Sequence, residues 1–193
     1  MHYINIFFIS ILLVGCTSNN NSIKPSSPGV NTLEQTDSDI SRYKTALSLL
    51  NSDKFDDAKE ILTQITLEKP GFAGPYANLA VIALNKGNPD EALGLVKTAL
   101  TKNPQLSQAL NLLGIIEQQS GNITLALEHY KQAIAIRNDY ANAHYNIALL
   151  YDIYFQDIHS ALSHYEIYLK LIHNNDKSTS DWVEQLKQSR PKG

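Results

Sequence analysis

Small residues recur in this chain at intervals of 34. Ala46, Ala80, Gly114 and Ala148 form one series, and Ala58, Ala92 and Ala126 a second. Pro70, Pro104 and Asn138 keep the same step. A fixed period of this size is the signature of a helical solenoid, in which each unit is a pair of antiparallel helices. The small residues belong where two helices cross most closely, because only a short side chain lets the backbones approach. Neighbouring units then cover one another's apolar faces.

Local signals divide each unit into two helices. Gly87-Asn88-Pro89 and Gly121-Asn122 end the first helix and start the second, with Pro89 suited to a first helical turn. Asp90 and Glu91 follow at the electropositive N-terminal end of that helix. Asn103-Pro104 ends it. Ala92, Leu95, Val96 and Ala99 show the i, i+3, i+4, i+7 spacing of an amphipathic helix.

The spacing and residue types resemble the tetratricopeptide repeat. Repeat two carries Tyr76, Leu79-Ala80, Ala83, Ala92, Val96, Ala99 and Pro104 at the family's positions, and repeat three carries Leu110, Leu113-Gly114, Glu117, Ala126, Tyr130, Ala133 and Asn138. Repeat one is weaker at its start, with Arg42 and Thr45 in place of the aromatic and the leucine, but Leu49, Ala58, Leu62 and Pro70 hold. The resemblance implies an all-α fold: a right-handed superhelical solenoid of about four helix-turn-helix repeats, at residues 39–72, 73–106, 107–140 and 141–174, plus a capping helix and tail at 175–193. Repeat four departs from the others. Ala148 to Ala161 is a step of thirteen where the others show twelve, and its turn, Ile153-Tyr154-Phe155-Gln156-Asp157, has no glycine. In the last segment Asp181 and Glu184 have the spacing of a capping-box variant, and Trp182, Val183 and Leu186 are expected to form one apolar face.

Ahead of the repeats lies an eleven-residue, mostly apolar run, residues 4–14, too short for the roughly 20 residues of a membrane span. It suits the apolar part of a signal peptide at residues 1–15. Leu13-Val14-Gly15-Cys16 resembles the lipobox of bacterial lipoproteins, although no Lys or Arg precedes the run. The resemblance implies cleavage before Cys16 and acylation of that residue, the only cysteine in the chain. Several acyl chains give stable attachment where one does not. Thr17, rather than an aspartate, follows Cys16, which in this family favours the outer membrane. Residues 16–38 contain three consecutive asparagines and Lys24-Pro25-Ser26-Ser27-Pro28-Gly29. They are expected to form a flexible linker, since they carry too little apolar surface to offset their chain entropy.

The formal charge is −3 with both signs scattered, so a nucleic-acid partner is not expected. Five histidines follow the leader (His129, His144, His159, His164 and His173), none at i, i+4 spacing and none within a metal-ligand motif. They read as structural or surface residues, with His144 in an aromatic core slot. Tyr76, Tyr130, Tyr151 and Tyr165 occupy core slots of the repeat, whereas the pattern does not demand Tyr145, Tyr154 or Tyr168. No catalytic grouping stands out, and the chain is not expected to be an enzyme or to hold a cofactor beyond the lipid on Cys16.

In the tetratricopeptide family the first helix of each repeat lines a concave face. That geometry implies a groove at Tyr43, Leu47, Leu50, Val81, Leu84, Asn111, Ile115, Tyr145, Leu149 and Asp152. Leu47, Val81, Ile115 and Leu149 make an aliphatic stripe, so the expected ligand is an apolar extended segment or an amphipathic helix. The alternative is that these residues pack between neighbouring first helices. The expected role is a scaffold or assembly factor for an envelope protein, lipid-anchored on the periplasmic face of the outer membrane. It resembles, by architecture, the repeat lipoproteins of pilus and secretion-pore assembly. An adaptor for peptidoglycan enzymes, or a ligand-sensing accessory subunit using Tyr145 and Tyr154, are the alternatives.

Overall fold

The computed structural model describes residues 30–189. The expected signal peptide, Cys16 and most of the expected linker lie outside those residues. The described chain is a run of α-helices: α1 Val30–Asn51, α2 Phe55–Glu68, α3 Ala73–Asn85, α4 Pro89–Lys102, α5 Ser107–Gln119, α6 Ile123–Ile136, α7 Ala141–Leu150, α8 Ile158–Leu171 and α9 Lys177–Ser189. A π-helical segment, Tyr151–Phe155, follows α7. The turns between helix pairs lie at residues 69–72, 103–106 and 137–140, and the start of the first helix differs from expectation. α1 begins at Val30 rather than at Asp39, so the end of the expected linker is helical. Leu33, Glu34 and Gln35 are good helix formers and no proline or glycine interrupts the stretch.

The chain divides into two units, Met1–Ile61 and Leu62–Gly193. In the first, Ala46, Leu50 and Ala58 are fully buried. The turn after α1 closes through Asp53, in the left-handed region at φ 57°, with Lys54 N–H donating to Leu49 O at 2.9 Å.

In the second unit α3 pairs with α4, α5 with α6, and α7 with α8, while α4 and α6 each pack on the helix that follows. The small-residue slots behave as the spacing predicts: Ala80, Ala92, Ala99, Ala126, Ala133, Ala148 and Ala161 have no exposed surface. Gly114 is the tightest. A Cβ there would lie 2.5 Å from Tyr130 Cε1, so repeat three places its large aromatic against the one position without a side chain.

The turns explain the departure of repeat four. In repeats two and three a glycine at positive φ (Gly87, 76°; Gly121, 82°) closes the first helix. Asn88 N–H then donates to Ala83 O, and Asn122 N–H to Glu117 O, each reaching back five residues. In repeat four Asp157 N–H donates to Tyr151 O at 2.9 Å, reaching back six. The extra residue widens the last turn into the π segment, and Gln156 takes the left-handed position at φ 54°. Asp157 caps α8, accepting from Ser160 N–H at 3.1 Å and Ser160 Oγ at 2.6 Å. Those bonds hold its carboxyl below the usual range.

The expected cap of the last helix is corrected. Asp176, rather than Asp181, starts α9, accepting from Thr179 N–H at 3.0 Å and Thr179 Oγ1 at 2.7 Å. Asp181 instead lies inside the helix and pairs with Lys177. Val183 and Leu186 are buried against α8 as expected, but Trp182 is 41% exposed.

Candidate interaction surface

The expected groove positions fall into equivalent slots along α3, α5 and α7. The innermost members, Val81 and Asn111, are buried, as is Leu50 in the first unit. These three therefore do not face an open groove. Ile115, Tyr145 and Leu149 are partly buried, with Ile115 packed on the cluster around Tyr130 and Ile147, and Tyr145 and Leu149 on the cluster around Tyr165 and Tyr168. Leu84, like Tyr43 and Leu47 in the first unit, is half-buried. Packing between helices thus takes up much of the expected apolar stripe.

The slot of Leu84, Gln118 and Asp152 has a structural task that the repeat pattern alone does not reveal. Gln118 Oε1 accepts from Tyr130 Oη at 2.9 Å, and Asp152 Oδ2 accepts from Tyr165 Oη at 3.2 Å. Allowing for the inserted residue, these are the same bond in successive repeats, from the second helix back to the first. Burial pushes both phenols well above their usual range, so they remain donors at any ordinary pH. In repeat two the corresponding residues, Leu84 and Val96, are apolar and the bond has no counterpart. First helices are also linked to one another by amides: Gln108 Nε2 donates to Asn78 Oδ1 at 2.8 Å, and Asn146 Nδ2 to Asn111 Oδ1 at 3.0 Å.

Two of the tyrosines outside the repeat pattern, Tyr145 and Tyr168, secure the final helix. Tyr168 is 1% exposed and its Oη donates to Asp176 Oδ2 at 3.0 Å. Tyr145 packs between Tyr165 and Tyr168, with ring centroids at 6.0 and 4.9 Å. Trp182 Nε1 donates to Asp152 Oδ2 at 2.7 Å, tying α9 back to the π segment. Burial alone would raise Asp176, but hydrogen bonds from Thr179 and Tyr168 outweigh it and hold the carboxyl down.

The histidines include one close pair. His144 Nδ1 and His164 Nδ1 are 3.0 Å apart, and His144 Nε2 is 3.0 Å from Asn138 O. A carbonyl only accepts, so His144 carries its hydrogen on Nε2 and presents a lone pair at Nδ1; His164 is the Nδ1–H donor. Burial, then His144 and Lys131, push His164 down to about 4. Among the described residues no group of three or more His, Cys, Asp or Glu could hold a metal ion, and no helix is long and apolar enough to cross a membrane.

Open apolar surface occurs at the tip of repeat four. Ile153, Tyr154 and Phe155 are 43%, 49% and 42% exposed. The equivalent turns of repeats two and three, built on Lys86-Gly87-Asn88 and Ser120-Gly121-Asn122, present polar residues and glycine.

Comparison with known proteins agrees with this geometry. Two family profiles match, one described as tetratricopeptide repeat over residues 49–116 and one as TPR repeat over residues 114–152, together more than half of the chain. No curated protein matches the sequence. Among solved structures, PilF of Pseudomonas aeruginosa is similar with a TM-score of 0.66 at 19% identity, over 79% of this chain and 69% of that one. A thermophilic TPR protein of Thermus thermophilus gives 0.63 at 21%, over 76% of this chain and 80% of that one. The first TPR domain of Spaghetti (RPAP3), bound to an HSP90 peptide, gives 0.54 at 16%, over 61% and 92%. At these identities the likeness is one of fold.

Proposed function

The chain is a tetratricopeptide-repeat protein, and on that premise we propose that it is a lipid-anchored scaffold that holds a partner protein in the bacterial cell envelope. The observation that carries this reading is the stack of helix pairs in residues 62–193, a framework that presents side chains along its first helices. Leu84, Ile115, Tyr145 and Leu149 keep part of their surface there, and an apolar or amphipathic segment is the ligand they suit. Leu13-Val14-Gly15-Cys16 supplies the anchor, with acylated Cys16 holding the repeats at the periplasmic face of the outer membrane. The process served is assembly of a pilus or secretion complex. Architecture supports that assignment, and PilF supports it at the level of the fold.

Two measurements test the proposal. Mass spectrometry of the N-terminal peptide from purified envelopes should find Cys16 as the acylated first residue; an unmodified, uncleaved N-terminus rejects the anchor. A photo-crosslinking residue placed at Leu84, Ile115 or Leu149 should capture one defined envelope protein that the exposed positions Lys97 and Glu128 do not capture. Equal capture from both sets of positions rejects the first-helix surface. The identity of the captured protein separates pilus or secretion assembly from peptidoglycan remodelling.

A further inference from the structure

We propose that the apolar tip of repeat four, Ile153, Tyr154 and Phe155, rests in the surface of the lipid bilayer and sets how the repeats stand on the membrane. The proposal rests on the lipid anchor at Cys16.

The tip is not a demand of the fold. The turn after α1 and those of repeats two and three close with Asp, Gly, Asn and Lys; only repeat four inserts a residue and fills the turn with three large apolar side chains. They are consecutive, and each is more than 40% exposed. Between them they leave roughly 300 Å² of side chain open, given about 150–250 Å² for a whole aromatic side chain.

That area argues about the occupant. A stable second copy needs about 800 Å² per partner, well beyond what the tip offers. Residues 17–29 of the chain have one large aliphatic residue, Ile23, amid Asn, Ser, Lys and Pro, and so lack the chemistry to cover it. A bilayer has no such area requirement, and aromatic rings with a polar edge suit its interface. The thirteen residues between Cys16 and Val30 span at most about 45 Å, so an anchored chain keeps the tip at a high local concentration of lipid.

Charge selects the kind of surface. The acidic neighbours of the tip, Asp152 and Asp157, accept hydrogen bonds only from neutral groups, so their negative charge is not cancelled and disfavours anionic lipid. Lys131 lies over the Tyr151 ring. Residues 153–156 carry no charge. Binding is therefore apolar, directed at zwitterionic lipid and insensitive to salt.

The test uses the chain from Cys16 onward, coupled through the Cys16 thiol to a maleimide lipid in zwitterionic phosphatidylcholine vesicles. Coupling supplies the anchor chemically, so the result does not depend on whether the cell acylates Cys16; the mass spectrum described above decides that point separately. Trp182→Phe removes the native fluorophore and Tyr154→Trp places one at the tip. Brominated acyl chains should quench Trp emission and shift it to the blue, equally at low and high salt. Ile153→Ser and Phe155→Ser in that background should lower quenching at least ~tenfold with helicity unchanged. Quenching no greater than for a tryptophan placed at Lys97 overturns the proposal, as does a tip signal that depends on protein concentration, which assigns the tip to a second copy.

Discussion

Acid should loosen repeat four, through the His144–His164 pair. Asn138 O fixes the hydrogen of His144 on Nε2, and His164 Nδ1–H fills the 3.0 Å gap between the rings. A further proton can enter only at His164 Nε2, because two Nδ1–H groups cannot face each other at that distance. Burial is the first thing to oppose that charge, followed by His144 from α7 and Lys131 from α6; the Tyr151 ring of the π segment stacks alongside at 6.1 Å. His164 is therefore depressed from 6.5 to about 4. The unfolded chain takes up the proton first as pH falls, so the pair's full contribution is present above pH 6.5 and is lost as pH drops from 6.5 to about 4. The gap corresponds to roughly 3 kcal/mol. The ring is partly open to solvent, and screening reduces the expected loss to about 1–2 kcal/mol. Carboxylates titrate in the same range, so the assay is a comparison: urea unfolding followed by circular dichroism, from neutral pH to 4, for wild type and His164→Gln. Glutamine keeps an N–H to donate to His144 but has no proton to gain. Wild type should lose about 1–2 kcal/mol more than the variant between pH 6.5 and 4. A difference that stays constant across that window refutes the reasoning.

Gly114→Ala should destabilise by about 1–3 kcal/mol, because its Cβ would meet the buried Tyr130 ring, which the bond to Gln118 holds in place; thermal melting checks this. Asp176→Ala removes the cap of α9 and the acceptor of Tyr168, and should cost about 1–2 kcal/mol and speed proteolysis ahead of α9. Asp152→Ala strands the donors of Tyr165 and Trp182; Trp182 emission should shift to the red as α9 loosens, and an unchanged spectrum would count against the tie between α9 and the π segment.

The helix pairs were legible because their signals are local and repeated. Gly87 and Gly121 mark turns by their own backbone preference, and the alanine slots sit at a fixed phase of each helix. What escaped depends on groups brought together only by packing. His144 and His164 are twenty residues apart on different helices, so no i, i+4 rule could pair them. Asp152 looked like a groove residue because of its place in the first-helix pattern; the bond that engages it, like that of Gln118 one repeat earlier, comes from a tyrosine on the second helix. Val81 and Asn111 share the phase of Ile115 or Tyr145, but how deeply each is covered depends on neighbouring helices that one helix cannot report. Asp181 directly precedes Trp182 and Val183, whereas Asp176 precedes Lys177 and Ser178, and Thr179 decides between them by turning its backbone and hydroxyl to Asp176.

The six-residue closure between Tyr151 and Asp157 localises a change in chain length. Downstream of it Ala161, Tyr165 and Tyr168 are one position late in number yet stay buried, in phase with the equivalent residues of the preceding repeat. The turns between paired helices are thus the places where length can vary while the buried register stays in step. An array of this kind can acquire or lose a surface feature at a tip by a single-residue insertion or deletion, without repacking the helices on either side, and its turns can diverge faster than its core.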